Sequence, residues 1–282
     1  MNTLPRPSII KDIKPLRLRF SFGKEQTPSA WIKDDLFMSH FLNAMSLSFP
    51  DGERFFMDSV RSFKEEIGDE QLKKDIQGFI AQEGLHGNAH EKFNTMLKDQ
   101  GYPVEKLITL VQTALNSLQK LCRKHKALES VPLAITCGLE HITAVLGDLV
   151  LTNHTLTNDM HDSVKNLWIW HALEETEHKA VAYDVYSTKY QNYLERVSVF
   201  LVSSIIFILA IHAFQYVLLE KDNSNNLKTW VGGLNKLYGI NGYVTSIVPM
   251  WLTYLKPGFH PWKEQDNSHL INQWKYIITE TK

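Results

Sequence analysis

The pattern Glu-x-x-His occurs at Glu83–His86 and again at Glu175–His178, each time inside an apolar helical stripe. Offsets of three and four residues return to nearly the same side of an α-helix. Ile76, Phe79, Glu83, His86, His90, Phe93 and Leu97 therefore share one face, and Val164, Trp168, His171, Glu175, His178, Ala182 and Val185 share another. Glu174 and Glu177 point away from that second face and read as ordinary solvated acids. Burying carboxylates and imidazoles without partners costs several kcal/mol or forces them to neutralise. A metal ion compensates both donor types at once.

In four-helix bundles that bind two irons or manganeses, two helices each supply Glu-x-x-His and the other two each supply a single Glu. Candidates for those single acids lie one helical hairpin earlier in each case. Glu53 shares its face with Phe56, Met57 and Val60, and Glu140 shares its face with Leu133, Cys137, Ala144 and Gly147. The chain thus reads as two copies of a helix with Glu followed by a helix with Glu-x-x-His, joined by a crossover helix at 104–125. The expected metal ligands are Glu53, Glu83, His86, Glu140, Glu175 and His178, with His171 and His90 as added ligands or as groups orienting the carboxylates. His141 is turned off the ligand face and is expected to play a supporting role, while Asp148 and Asp184 are candidates to hydrogen-bond ligand imidazoles.

No run shows sustained strand alternation, so the expected fold is all-α: a ferritin-like four-helix bundle with additional N-terminal, crossover and C-terminal helices. Residues 1–29, rich in proline, read as an extended arm, 30–195 as the dimetal bundle, and 196–282 as an apolar helix with an aromatic tail packed on the bundle or on a membrane. Pro50-Asp51-Gly52 reads as punctuation ending one helix and starting the next, which places Glu53 in a first turn where the helix dipole favours acids. Residues 161–190 read as one continuous helix, and Pro132 suits a first-turn position.

Formal net charge is −1 and no long basic run occurs, so neither a nucleic-acid groove nor a polybasic lipid patch is indicated. Two cysteines, Cys122 and Cys137, without a CxxC motif or a secretory signal, fit a reducing, cytoplasmic setting. The segment Val197–Leu219 is free of formal charge and long enough to cross a hydrocarbon core of about 30 Å. A helix buried on all sides, or docked on the inner membrane, gives the same signature.

At these residues the sequence resembles a family described as predicted metal-dependent hydrolases, within the ferritin-like di-iron carboxylate superfamily. The match runs through Phe49–Phe56, Gln82–His86 with His90, Leu139–Ala144, Trp170–Ala182 and Pro257–Trp262. The spacing His171-x-x-x-Glu175-x-x-His178 is also similar to the last ligand helix of the arylamine N-oxygenases, where the resemblance implies a histidine added to the di-iron set. Mixed carboxylate and imidazole donors suit two irons, with manganese or zinc as alternatives, and no catalytic group beyond the ligands is indicated. The first expectation is O2 activation to oxidise a small hydrophobic, lipid-like substrate, with an electron donor as a possible partner. The alternatives are hydrolysis by a metal-bound water, and iron storage or peroxide detoxification without catalysis on an organic substrate. Membrane association and homo-oligomerisation remain open at this level.

Overall fold

The computed structural model describes residues 12–280, so the first residues of the expected arm, 1–11, lie outside the described residues. Helix α1 (Leu36–Arg61) pairs with α2 (Glu70–Asp99), and α3 (Val104–Lys124) crosses over to α4 (Val131–Thr152). After a short α5 (His154–Asp159), α6 (Asp162–His178) packs back on α4. The chain continues through α7 (Val181–Lys189), α8 (Tyr193–Lys221), α9 (Leu227–Tyr238), α10 (Tyr243–Leu252), α11 (Pro261–Glu264) and α12 (Ser268–Glu280). Among the described residues there is no strand, only an isolated bridge between Ile32 and Met160. The protein is an all-α helical bundle whose inner faces belong to α1, α2, α4 and α6.

Local chemistry sets the starts of the helices. Asp35 caps α1 by accepting from the Met38 N–H, and Asp69 caps α2 by accepting from Gln71 and Leu72. Close approach is built in at Gly147, where a Cβ would lie 2.8 Å from the Ala172 carbonyl oxygen; the small residues of α4 make room for α6.

Two helix boundaries differ from expectation. α1 runs straight through Pro50, so Glu53 stands in mid-helix and not in a first turn. Proline removes the N–H that would bond the carbonyl four residues earlier. Here that carbonyl, on Ser46, accepts from Asn94 Nδ2 of α2 at 2.9 Å, so nothing is orphaned and the helix continues. Conversely, the helix expected over 161–190 breaks at Lys179–Ala180. The buried Lys179 ammonium reaches out of the bundle to the Gln265 carbonyl and Asn267 Oδ1, each at 2.7 Å. It also lies 4.1 Å over the Trp262 ring.

Two further expectations are corrected. Glu174 and Glu177 are buried and not solvated, because the N-terminal arm and α12 cover the outside of α6. Leu16 N–H donates to Glu174, Trp170 Nε1 donates to the Leu16 carbonyl at 2.8 Å, and Lys275 of α12 pairs with Glu177. α8 is not buried on all sides: one face packs on α1 and α4, while Leu194, Val202, Ile205, Ile206 and Leu209 are exposed.

Candidate metal centre

The interior of α1, α2, α4 and α6 brings together two groups of potential ligands, Glu53, His86 and His171, and Glu83, Glu140, Glu175 and His178. Within each group one ligand atom per residue lies within 4.8 Å of the others, and every member is buried. The groups interlock through two carboxylates. Glu175 Oε1 is 3.4 Å from His86 Nδ1, 3.1 Å from His171 Nε2 and 3.5 Å from His178 Nε2. Glu83 Oε1 is 3.0 Å from His178 Nε2 and 3.9 Å from His86 Nδ1. Glu83 and Glu175 therefore face imidazoles of both groups, where each would lie between two bound ions. Glu53 closes one end, 4.0 Å from His171 Nε2, and Glu140 the other, 3.2 Å from His178 Nε2. Gly87 leaves room for the former, since a Cβ there would sit 3.1 Å from Glu53 Oε2.

Hydrogen bonds decide which nitrogen of each ring points inward with a lone pair. His86 Nε2–H donates to Glu174 Oε2 at 3.0 Å, which leaves Nδ1 for the cluster. His178 Nδ1–H donates to Gln82 Oε1 at 3.0 Å, which leaves Nε2. Gln82 is itself oriented because its Nε2 donates to Glu177 at 2.9 Å. His171 is set by a longer relay that begins at Pro50. The Ser46 carbonyl freed by that proline fixes the Asn94 amide, so the Ser46 hydroxyl donates to Asn94 Oδ1 at 2.7 Å. Ser46 Oγ then accepts from His90 Nδ1 at 2.8 Å, and His90 Nε2 accepts from His171 Nδ1 at 2.7 Å. His171 Nε2 is thereby the nitrogen turned into the site, 3.1 Å from Glu175 Oε1.

This arrangement fits bound cations and fits little else. The carboxylate oxygens of Glu53, Glu83 and Glu140, Glu175 Oε2, His86 Nδ1 and His178 Nε2 are buried without hydrogen-bond partners. Ligand atoms about 2.1 Å from one ion and about 90° apart stand about 3 Å from each other, close to the separations found here. Burial opposes protonation of His86 and His178, yet Glu174 and Glu175 push the first well up and Glu175 and Glu140 the second, so a cation bound here would displace protons. Burial first, then Glu83 and Glu175, pushes the Glu53 carboxyl well up, and burial with Glu175 and Glu83 pushes Glu140 up to about 8. Glu83 also moves up, by burial and then Glu175. Burial opposes ionisation of Glu175 as well, yet His178, His171 and His86 outweigh it and hold that carboxyl well below the usual range. Burial, then His86, lowers His171 to about 4, which keeps it neutral as a ligand must be.

The remaining expected residues stand outside the two groups. His90 supports His171 and is not a member of either group. His141 Nε2–H donates to the Trp251 carbonyl at 3.2 Å, and the ring packs on Tyr254 and Phe259 rather than on a ligand. Asp184 bonds His260 at 3.0 Å and Asp148 bonds Asn267 at 3.3 Å, so neither holds a ligand imidazole. Those partners are Glu174 and Gln82, the residues immediately before Glu175 and Glu83. Helical periodicity passes over them because they leave the ligand face; the symmetry of their placement is the signal that marks them. Each supports the histidine of the opposite helix.

A narrow apolar cavity of about 60 Å³ abuts the site. His171 and Glu175 lie at one side; Met45, Leu146 and Val150 line it, and Leu237, Tyr243 and Val244 of the α9–α10 region complete the wall.

No curated protein and no solved structure matches the chain. A family model described as predicted metal-dependent hydrolase matches residues 14–265, a stretch that includes both ligand groups and the cavity beside them. By that match, and with buried donors of the kind such a name requires, the chain belongs to the family of predicted metal-dependent hydrolases.

Proposed function

We propose that the protein is a dinuclear metal enzyme that hydrolyses an acyl bond of a hydrophobic small molecule. The observation that carries this reading is the junction of the cavity with the site: His171 and Glu175 belong both to the ligand groups and to the cavity wall. Glu53, His86 and His171 would hold one ion, Glu140 and His178 the other, with Glu83 and Glu175 between them. Two ions bound there supply Lewis-acid polarisation of a carbonyl and acidify a coordinated water. The chain does the rest. Glu174, Gln82 and His90 hold the three imidazoles in their ligating tautomers, and the apolar walls receive the organic chain while excluding bulk water.

A second reading, oxidation with O2 on two irons in a ferritin-like bundle, is favoured by the donor set itself. Four carboxylates with three imidazoles suit iron or manganese better than the sulfur-containing sets of structural zinc. One experiment separates the two. The protein, loaded in turn with iron, manganese and zinc, is offered acyl esters of graded chain length, with and without oxygen, in 18O-labelled water. Hydrolysis predicts oxygen-independent turnover that carries the label into the acid, and rates that fall at least tenfold for long chains in Leu146→Trp while metal content is kept, an effect of about 1.4 kcal/mol or more. Oxygen uptake coupled to substrate loss, with no ester turnover under any metal, would establish oxidation instead. Many irons per chain would indicate storage.

A further inference from the structure

We infer that the outward faces of α8 and α9, with the turn at Ile240, rest on an anionic lipid bilayer and dip into one leaflet without crossing it. This goes beyond the reaction and does not depend on it. The polarity of α8 is reversed relative to a helix facing water. Its polar residues Arg196, Ser204 and Gln215 are buried against the protein, with Gln215 Nε2 donating to the Phe37 carbonyl at 2.8 Å and Arg196 to the Lys256 carbonyl at 2.9 Å. Its exposed side is Leu194, Val202, Ile205, Ile206 and Leu209. From Leu201 to Tyr216 the outward face carries no charge while Ser204 and Gln215 turn inward, a pattern built for an apolar surrounding.

α9 extends the same surface. Leu227, Val231, Leu234 and Tyr238 recur at helical spacing on its exposed side, and Ile240 on the following turn is 95% exposed. The two helices are tied edge to edge, since His212 of α8 bonds Tyr238 Oη at 2.6 Å and its ring packs 6.0 Å from that of Trp230. Exposed tyrosines, Tyr193 and Tyr216, stand near the two ends of α8, where an amphipathic ring meets headgroups.

Two observations select the occupant. Between Asp222 and Glu264 every formally charged residue is a lysine: Lys228, Lys236, Lys256 and Lys263. Lys236 and Lys256 pair with Asp35 and Glu264, and Lys228 sits beside the exposed Leu227 with no acid partner among the described residues. A symmetric second copy would bring this lysine-bearing patch against itself, whereas anionic headgroups complement it. A full span is excluded by the other face of α8, which is packed along α1 and α4 and cannot be ringed by lipid. α9 and α10 also wall the apolar cavity, so docking places that cavity next to the leaflet.

The test uses the full chain and flotation with vesicles of phosphatidylcholine, with and without phosphatidylglycerol. The protein is expected to float with the anionic vesicles, and V231E combined with I240D to weaken binding by at least about tenfold at unchanged helicity and metal content. K228E should weaken it by about fivefold at low salt and less at high salt. I205E is the independent probe of α8. Failure to float, flotation indifferent to these substitutions, a dimer that the same substitutions dissolve, or membrane-bound protein that alkaline carbonate cannot release would each overturn the inference.

Discussion

His86 Nε2 lies 3.0 Å from Glu174 Oε2, so an imidazole of α2 takes its orientation from the acid that precedes the candidate ligand Glu175 on α6. The relation is reciprocated by His178 and Gln82 at 3.0 Å, but with an amide in place of the carboxylate. A carboxylate partner makes His86 the more strongly donating of the two rings. Glu174→Ala is therefore expected to weaken metal binding by about 10- to 100-fold, chiefly at the ion held by His86. Glu174→Gln, which keeps an acceptor, should have a smaller effect. Titration of metal-free protein, read by elemental analysis, checks both; equal affinities for all three proteins would refute the role.

Glu175 touches all three inward-facing imidazoles, and no other carboxylate among the described residues does. Glu175→Ala should leave a helical protein by circular dichroism that no longer holds two ions. Retention of two metals per chain would remove Glu175 from the ligand set.

Metal-free protein should lose stability as pH rises from about 6.5 toward about 8, above the range in which the lowered His171, His90 and His141 contribute with the opposite sign. Glu140, raised to about 8 by burial and its acidic neighbours, binds its proton more tightly folded than unfolded, and Glu53 and Glu83 shift the same way. A raised carboxyl stabilises the fold fully below its unfolded pKa and loses that contribution as pH climbs through the folded value. Glu175, lowered, contributes with the opposite sign, but that contribution is complete above the unfolded value and is lost only on acidification. Saturating metal should flatten the dependence, because ions replace the protons. Melting temperatures across this range, with and without metal, give the comparison.

The relay from Pro50 to His171 predicts a non-additive pair. Asn94→Leu strands the Ser46 carbonyl and should cost about 1–3 kcal/mol. In a Pro50→Ala background, where a backbone N–H is restored to that carbonyl, the same substitution should cost about 1 kcal/mol less. Denaturant unfolding of the four proteins measures the difference, and strict additivity would break the link between the proline and the amide.

Much of this protein is legible in its amino-acid order. The faces carrying Glu83, His86, Glu175 and His178 follow from helical periodicity alone, which is local geometry and survives any packing. The single acids Glu53 and Glu140 follow from placing four such faces around one interior. Reading the turn chemistry of Pro50 failed because a proline is disruptive only if its orphaned carbonyl stays orphaned. That condition depends on Asn94, which lies on another helix.

What only tertiary structure decided has the same cause throughout. Whether Glu174 and Glu177 meet water depends on the arm and α12, far away in the chain, and they turn out to be buried partners of His86 and Gln82. Whether α8 is core or surface depends on how much of the bundle is available to cover it, and only one face finds cover. Period and composition state which groups share a side of a helix. Which neighbour that side meets, and which ring nitrogen keeps its lone pair, is set by contacts between residues that the chain keeps far apart.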